Sequence, residues 1–214
     1  MNSLVRDGYE IHRGVFSVSD IETFRAEADE TSSKTGSACV RHLGKRSSLF
    51  NRLSLSPQLL ALFPNPDFTP VRSILFDKTP GENWPVAWHQ DLTICVAKET
   101  DCESYGPWSI KDGIPHVQPP VALLNRMVTA RIHLDPTGAD NGALSIVPGS
   151  HLHGRLASER IAELAAESFM LCDCQPGDVL LMSPLILHPA FLETQHPPEP
   201  PTHPTFRIRT PGCS

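Results

Sequence analysis

The sequence predicts a mainly β protein, an antiparallel sandwich or barrel such as a jelly roll, with flanking helices mostly at its N-terminal side. Three observations carry this. From residue 71 onward apolar residues fall into short runs of strand length, Gly, Asn, Asp and Pro separate those runs, and helical spacing is confined to the front of the chain and a segment near residue 158. No strand–helix–strand alternation occurs, which argues against a parallel α/β sheet.

Ser19 followed by Glu22 reads as a capping box, and Ile21, Phe24 and Ala28 recur at helical spacing behind it, predicting a short helix. Ser56 as cap, Pro57 in the first turn and the apolar face Leu59, Leu60, Phe63 predict a second helix over 56–63. VRSILFD at 71–77 and VTARIHL at 128–134 are the clearest strands, the latter alternating Val128, Ala130, Ile132 and Leu134 against Thr129, Arg131 and His133. Further strands are expected at 143–147, 168–174, 179–182 and 185–188, and a third helix begins at Ser158 with Ile161, Leu164 and Ala165 on one side. Thr137-Gly138, Asp140-Asn141-Gly142 and Pro176-Gly177-Asp178 supply turns. Five of the 21 prolines fall between Pro197 and Pro204, where missing donors oppose sheet pairing, so 197–204 reads as an irregular, exposed segment.

A chain of 214 residues with 40% hydrophobic content can bury one substantial core, and residues 1–214 are expected to form a single domain. Net charge is −6, so no basic field concentrates phosphate backbones and nucleic acid is not an expected partner. No run reaches membrane-spanning length, and the acidic first thirty residues lack the apolar core of a leader. Cys39, Cys95, Cys102, Cys172, Cys174 and Cys213 form no C-x-x-C pair, so a reducing, cytoplasmic setting is expected.

Within WHQDL, His89 and Asp91 are one residue apart, so on extended backbone both side chains leave one face and can meet one ion. With a second imidazole from a distant strand they would form the two-His-one-carboxylate set that covers one face of an octahedral iron(II) and leaves three positions open. His188, closing the apolar run LMSPLILH, is the candidate second imidazole, because a polar ring there must be liganded or hydrogen-bonded; a core histidine satisfied by a carbonyl is the alternative. Composition alone would produce roughly one His-x-Asp/Glu in this chain. A rival, His133-Leu134-Asp135, has the same spacing but runs into Pro136-Thr137-Gly138, where Asp135 reads as a turn residue.

These residues stand in an order that resembles the phytanoyl-CoA dioxygenase family: WHQDL, then L-D-x-T-x-x-x-N-G-x-L-x-x-x-P-G-S-H over 134–151, then PGDVLL over 176–181, then His188. The resemblance implies a double-stranded β-helix of the jelly-roll, cupin-like kind, with iron(II) held by His89, Asp91 and His188 and with 2-oxoglutarate as cosubstrate. It implies dioxygen and a small-molecule substrate that is hydroxylated, with succinate and carbon dioxide as co-products; Asp91 argues against a halogenase. By the same resemblance Arg207, with Arg209 as alternate, is matched to the residue that pairs with the remote carboxylate of 2-oxoglutarate, where a planar guanidinium fits a carboxylate. Trp108 matches an aromatic near the cosubstrate, and Lys78 and Arg41 are further candidate cations for a carboxylate. The tail, residues 189–214, departs from the family, which has a basic-led strand where PAFLETQHPPEPPTHPTFRIRTPGCS stands; a shift of reading frame in the gene would produce such a tail and make Arg207 a chance arginine. Two further classes stay open: a cupin-like metal-dependent isomerase or hydrolase, and a non-catalytic member that binds metal or ligand. Neither the primary substrate nor the oligomeric state is legible.

Overall fold

The computed structural model describes residues 3–37, 39–65, 67–77, 87–139 and 143–189, together with the backbone of 205–211. In chain order the elements are α1 (Ser3–Arg6), β1 (Tyr9–His12), α2 (Val18–Thr35), β2 (Cys39–Arg41), α3 (Leu43–Arg46), α4 (Ser48–Ser54), α5 (Pro57–Leu60), β3 (Arg72–Phe76), β4 (Ile94–Cys95), β5 (Trp108–Lys111), β6 (Ile114–Val117), α6 (Val121–Leu124), β7 (Met127–His133), β8 (Leu144–Ile146), a 3-10 turn at Ser150–His153, α7 (Ser158–Glu167), β9 (Met170–Cys172), β10 (Val179–Met182) and β11 (Thr205–Pro211). Six strands make the main sheet in the order β1-β10-β7-β11-β3-β2, beside a three-stranded sheet β4-β6-β5 and a pair β8-β9.

The main sheet is covered on both faces. On one side Ile21, Phe24 and Ala28 of α2, with Leu43, Phe50, Leu53 and Leu59 from the following helices, pack on Val128, Ala130, Ile132 and Leu134. On the other, Leu180 and Met182 meet Leu144, Ile146, Cys172 and Ile186. Burying each such leucine or phenylalanine stabilises by roughly 1.5–3 kcal/mol. This two-sided cover extends to the second face of β7, where Thr129 and His133 are as buried as their apolar neighbours.

Other departures have local causes. The capping box of α2 is Ser17 with Asp20, not Ser19 with Glu22: Ser17 is extended, its hydroxyl accepts from the Asp20 N–H, and the Asp20 carboxylate accepts from the Ser17 N–H at 2.9 Å. Ser19 already lies inside the helix, which runs 18 residues, longer than expected. The second helix stops at Leu60, short of residue 63. The segment 185–188 is not a strand, because the Ser183 hydroxyl and carbonyl accept the N–H groups of Leu185 and Ile186 and curl the chain after Pro184. Only Leu187 and His188 then pair, each through an isolated bridge. Strands β1, β2, β4, β5 and β6 went unforeseen, being short and weakly apolar. The segment 197–204 lies outside the described residues.

Gly177 shows how tightly the turn before β10 is set. A Cβ there would lie 2.4 Å from the Phe16 carbonyl oxygen, and φ is +91°. Glycine is therefore required on two counts. The next residue, Asp178, accepts from the N–H groups of Gly14 and Gln175, both at 2.8 Å, and from Arg13 at 2.6 Å. These bonds anchor the N-terminal segment to the sheet.

Candidate metal centre

His89 and His188 sit opposite each other across an isolated antiparallel bridge. The His89 N–H donates to the His188 carbonyl at 2.9 Å and the His188 N–H donates back at 3.0 Å. The Asp91 N–H donates to the Pro184 carbonyl at 2.8 Å, so all three residues are fixed by two short stretches of backbone. The imidazole ring centroids are 4.5 Å apart.

Each ring is also fixed in its tautomer. His89 Nδ1 lies 2.8 Å from the Ala87 carbonyl and His188 Nδ1 lies 3.0 Å from the Ile186 carbonyl. A carbonyl only accepts, so in the neutral form of either ring Nδ1 carries the proton and Nε2 presents a lone pair. His188 Nε2 lies 3.8 Å from Asp91 Oδ2, beyond hydrogen-bond length, with side-chain exposures of 1% and 12%. Two nitrogen lone pairs and an anionic oxygen thus converge in a largely desolvated place, their ligand atoms within 4.8 Å of one another. A cation satisfies that arrangement, and two imidazoles with one carboxylate are a donor set that fits iron(II).

Among the described residues this is the single cluster of His, Cys, Asp and Glu that closes so tightly. The rival pair is drawn apart. His133 is buried with Nδ1 3.1 Å from the Thr137 hydroxyl, and its proton affinity is pushed well down by burial and by Arg131 and Arg13. Asp135 turns the other way to an ion pair with Arg25 at 3.1 Å. Trp108 stands at the head of β5, paired with Val117. Arg207 lies on β11 between β3 and β7, in register with Ile74 and Arg131. Lys78 lies outside the described residues, and Arg41, on β2, is 3.4 Å from Asp112.

Two supporting residues were not singled out from the sequence. Gln90, between the histidine and the aspartate, is buried on the opposite face. Its amide donates to the carbonyls of Gly154 (2.8 Å) and Leu185 (2.6 Å) and accepts from the Leu156 N–H (2.8 Å). Ser150, in the PGSH run, accepts from the Leu187 N–H at 2.8 Å and donates to the Val147 carbonyl at 2.7 Å. The alternation of an extended chain could have flagged Gln90, since a residue between two inward-facing ligands must face outward. Its partners come from distant loops that no local pattern reveals.

The profile of the phytanoyl-CoA dioxygenase (PhyH) family matches residues 4–194. No curated protein sequence matches the chain. Among solved structures, EctD from S. alaskensis with 2-oxoglutarate and 5-hydroxyectoine is similar at 18% identity and a TM-score of 0.70, over 98% of this chain and 74% of that one. HygX from Streptomyces hygroscopicus with nickel and 2-oxoglutarate bound is similar at 19% identity and a TM-score of 0.65, over 97% and 83%. The non-heme α-ketoglutarate dependent epimerase SnoN from nogalamycin biosynthesis gives 17% identity and a TM-score of 0.67, over 97% and 79%. At these identities the likeness establishes the fold, the double-stranded β-helix of the jelly-roll kind with flanking helices.

Proposed function

The chain belongs to the phytanoyl-CoA dioxygenase family, and from that premise we propose that it is an iron(II)- and 2-oxoglutarate-dependent oxygenase that hydroxylates a small organic molecule. His89, Asp91 and His188 are the proposed metal ligands. The observation that carries the reading is the convergence of two Nε2 lone pairs and a carboxylate, with both tautomers fixed by backbone carbonyls. The structures of EctD and HygX with 2-oxoglutarate bound support the cosubstrate. Iron(II), when bound, supplies open positions for the cosubstrate and dioxygen and the redox chemistry of the reaction.

The protein's own part is to hold and orient. The Ala87 and Ile186 carbonyls keep both rings turned with Nε2 inward. Gln90 and Ser150 fix the two ligand-bearing stretches from their outer side. Leu92, next to Asp91, and Leu185, next to Pro184, are packed in one apolar cluster with Leu124, Met127 and Ile94, which anchors these stretches of chain. Arg207 is the proposed partner of the remote carboxylate of 2-oxoglutarate; its register position beside Arg131 in the main sheet is compatible with that role.

A second outcome on the same site is favoured by the likeness to an epimerase and to the carbocyclase SnoK, which matches at a TM-score of 0.67. In that case 2-oxoglutarate would still be consumed while the substrate gained no oxygen. Incubation with iron(II) and 2-oxoglutarate under air tests both readings. Succinate formation dependent on Asp91 supports the oxygenase class, and substrate-stimulated succinate without a product heavier by one oxygen supports the second outcome. A metal-dependent reaction without succinate would point to the cupin-like isomerase or hydrolase instead.

A further inference from the structure

On the three-stranded sheet, Cys95 of β4 stands opposite His116 of β6 in register, with Cys95 Sγ 3.1 Å from His116 Nε2. His116 Nδ1 lies 2.9 Å from the Ile114 carbonyl, so Nδ1 carries the ring's proton and Nε2 accepts from the thiol. A nucleophile in hydrogen-bond contact with a base, and a base held by a third group, is the arrangement that activates a cysteine.

Charges around the pair favour the thiolate. Arg41 of β2, Arg72 of β3 and Lys111 of β5 place positive charge about the pair, which favours an anionic sulfur; burial first and then the same cations lower the proton affinity of His116 and oppose its role as base, while the bond to the Ile114 carbonyl raises it and supports that role. His42, just before α3, lies with its ring centroid 6.3 Å from that of His116. Lys45 of α3 adds a further positive charge near His42, and Asp112 in the β5–β6 turn is the nearby acid. His42 Nε2 is buried without a hydrogen-bond partner among the described residues. Cys95 itself is partly exposed. Such an electropositive, accessible setting distinguishes reactive thiols from structural ones.

We propose that Cys95 is a modification site, a thiol activated by His116 that reacts with hydrogen peroxide or a soft alkylating electrophile. In the oxidative step His116 Nε2 takes the S–H proton and the sulfur attacks one peroxide oxygen. The O–O bond breaks, and the departing oxygen leaves as water with the proton returned from the imidazolium. Sulfur is oxidised by two electrons to the sulfenic acid and peroxide is reduced. The other cysteines provide contrast. Burial pushes the thiols of Cys172 and Cys174 up to about 12 and about 11, which makes them inert, and Cys102 is exposed.

The test uses the full chain without iron or 2-oxoglutarate, so its outcome is independent of the oxygenase reading. Alkylation by iodoacetamide is followed between pH 6 and pH 8, with each cysteine resolved by peptide mass spectrometry. Over that range an ordinary thiol gains several tens of fold in rate, because its thiolate fraction climbs about tenfold per unit. The exposed Cys102 is the comparison thiol. Cys95 is expected to gain only about tenfold or less, and to be trapped first as a sulfenic acid under dilute peroxide with dimedone. His116→Gln keeps a hydrogen-bond acceptor but removes the base, and should restore the steep profile at Cys95. If that variant unfolds, Cys172 and Cys174 become labelled, and the wild-type comparison of Cys95 with Cys102 decides alone. Parallel profiles for Cys95 and Cys102 in the wild type would overturn the proposal.

Discussion

At the residue scale, the two histidines owe their orientation to main-chain carbonyls, while the aspartate owes its position to the bond its N–H makes with Pro184. Asp91→Ala removes a proposed ligand but no core volume, so iron-dependent succinate production should fall to background while the unfolding free energy stays within about 1 kcal/mol of wild type. His188→Ala should lose metal in equilibrium dialysis and His133→Ala should not; metal loss confined to His133→Ala would move the site to the rival pair. Gln90 lends itself to a sharper test, because the near-isosteric Gln90→Glu keeps an acceptor for Leu156 while replacing two donors by a carboxylate aimed at the Gly154 and Leu185 carbonyls. That change should cost on the order of 2–3 kcal/mol in urea unfolding and weaken metal binding roughly ten- to a hundred-fold. That His89, Asp91 and His188 come together was legible in the sequence, because metal-ligand chemistry restricts residue type and spacing. Gln90 and Ser150 escaped because their partners lie on loops remote in sequence.

At the element scale, strands with continuous or alternating apolar residues, such as β3, β7 and β10, were found where their patterns put them. The short hairpin β5–β6 and the edge strands were missed, since what holds them is pairing rather than composition. The turn before β10 makes a pH prediction. Burial alone would raise the proton affinity of Asp178, but the N–H groups of Gln175 and Gly14 and the Arg13 guanidinium outweigh it and hold the carboxyl below its usual value. A group depressed in the folded state stabilises above its unfolded pKa and loses that contribution as pH falls through the folded value. Wild-type stability should therefore drop as pH falls below about 4, and Asp178→Asn, already weaker at pH 7, should show a shallower drop between pH 5 and pH 3. Strand β11 carries the remaining question about Arg207. A bidentate guanidinium–carboxylate pair contributes on the order of 1.5–3 kcal/mol, so Arg207→Ala should weaken 2-oxoglutarate binding roughly ten- to a hundred-fold while iron affinity barely changes. Tight binding unaffected by the substitution would refute the placement of Arg207. Weak binding in both proteins would favour the altered-tail reading of residues 189–214.

At the scale of the whole molecule, an antiparallel sandwich or barrel such as a jelly roll was legible from strand length and turn spacing, and the double-stranded β-helix from the family resemblance; the two-sided burial was not, because local alternation cannot say what lies over the second face. No helix among the described residues is long and apolar enough to cross a membrane. The fold brings two backbone stretches, almost a hundred residues apart in sequence, into one bridge at His89 and His188, and the site exists only when that bridge forms. Metal binding and folding are thus linked, and saturating iron(II) should raise the unfolding temperature of the wild type but not of His188→Ala. The most direct measurement is an anaerobic titration of iron(II) into the protein in the presence of 2-oxoglutarate, followed by visible charge-transfer absorption. The expected result is a band that saturates at about one iron per chain, needs 2-oxoglutarate, and is absent from Asp91→Ala and His188→Ala. A folded wild type that gives no band, or variants that give the same band, would contradict the assignment.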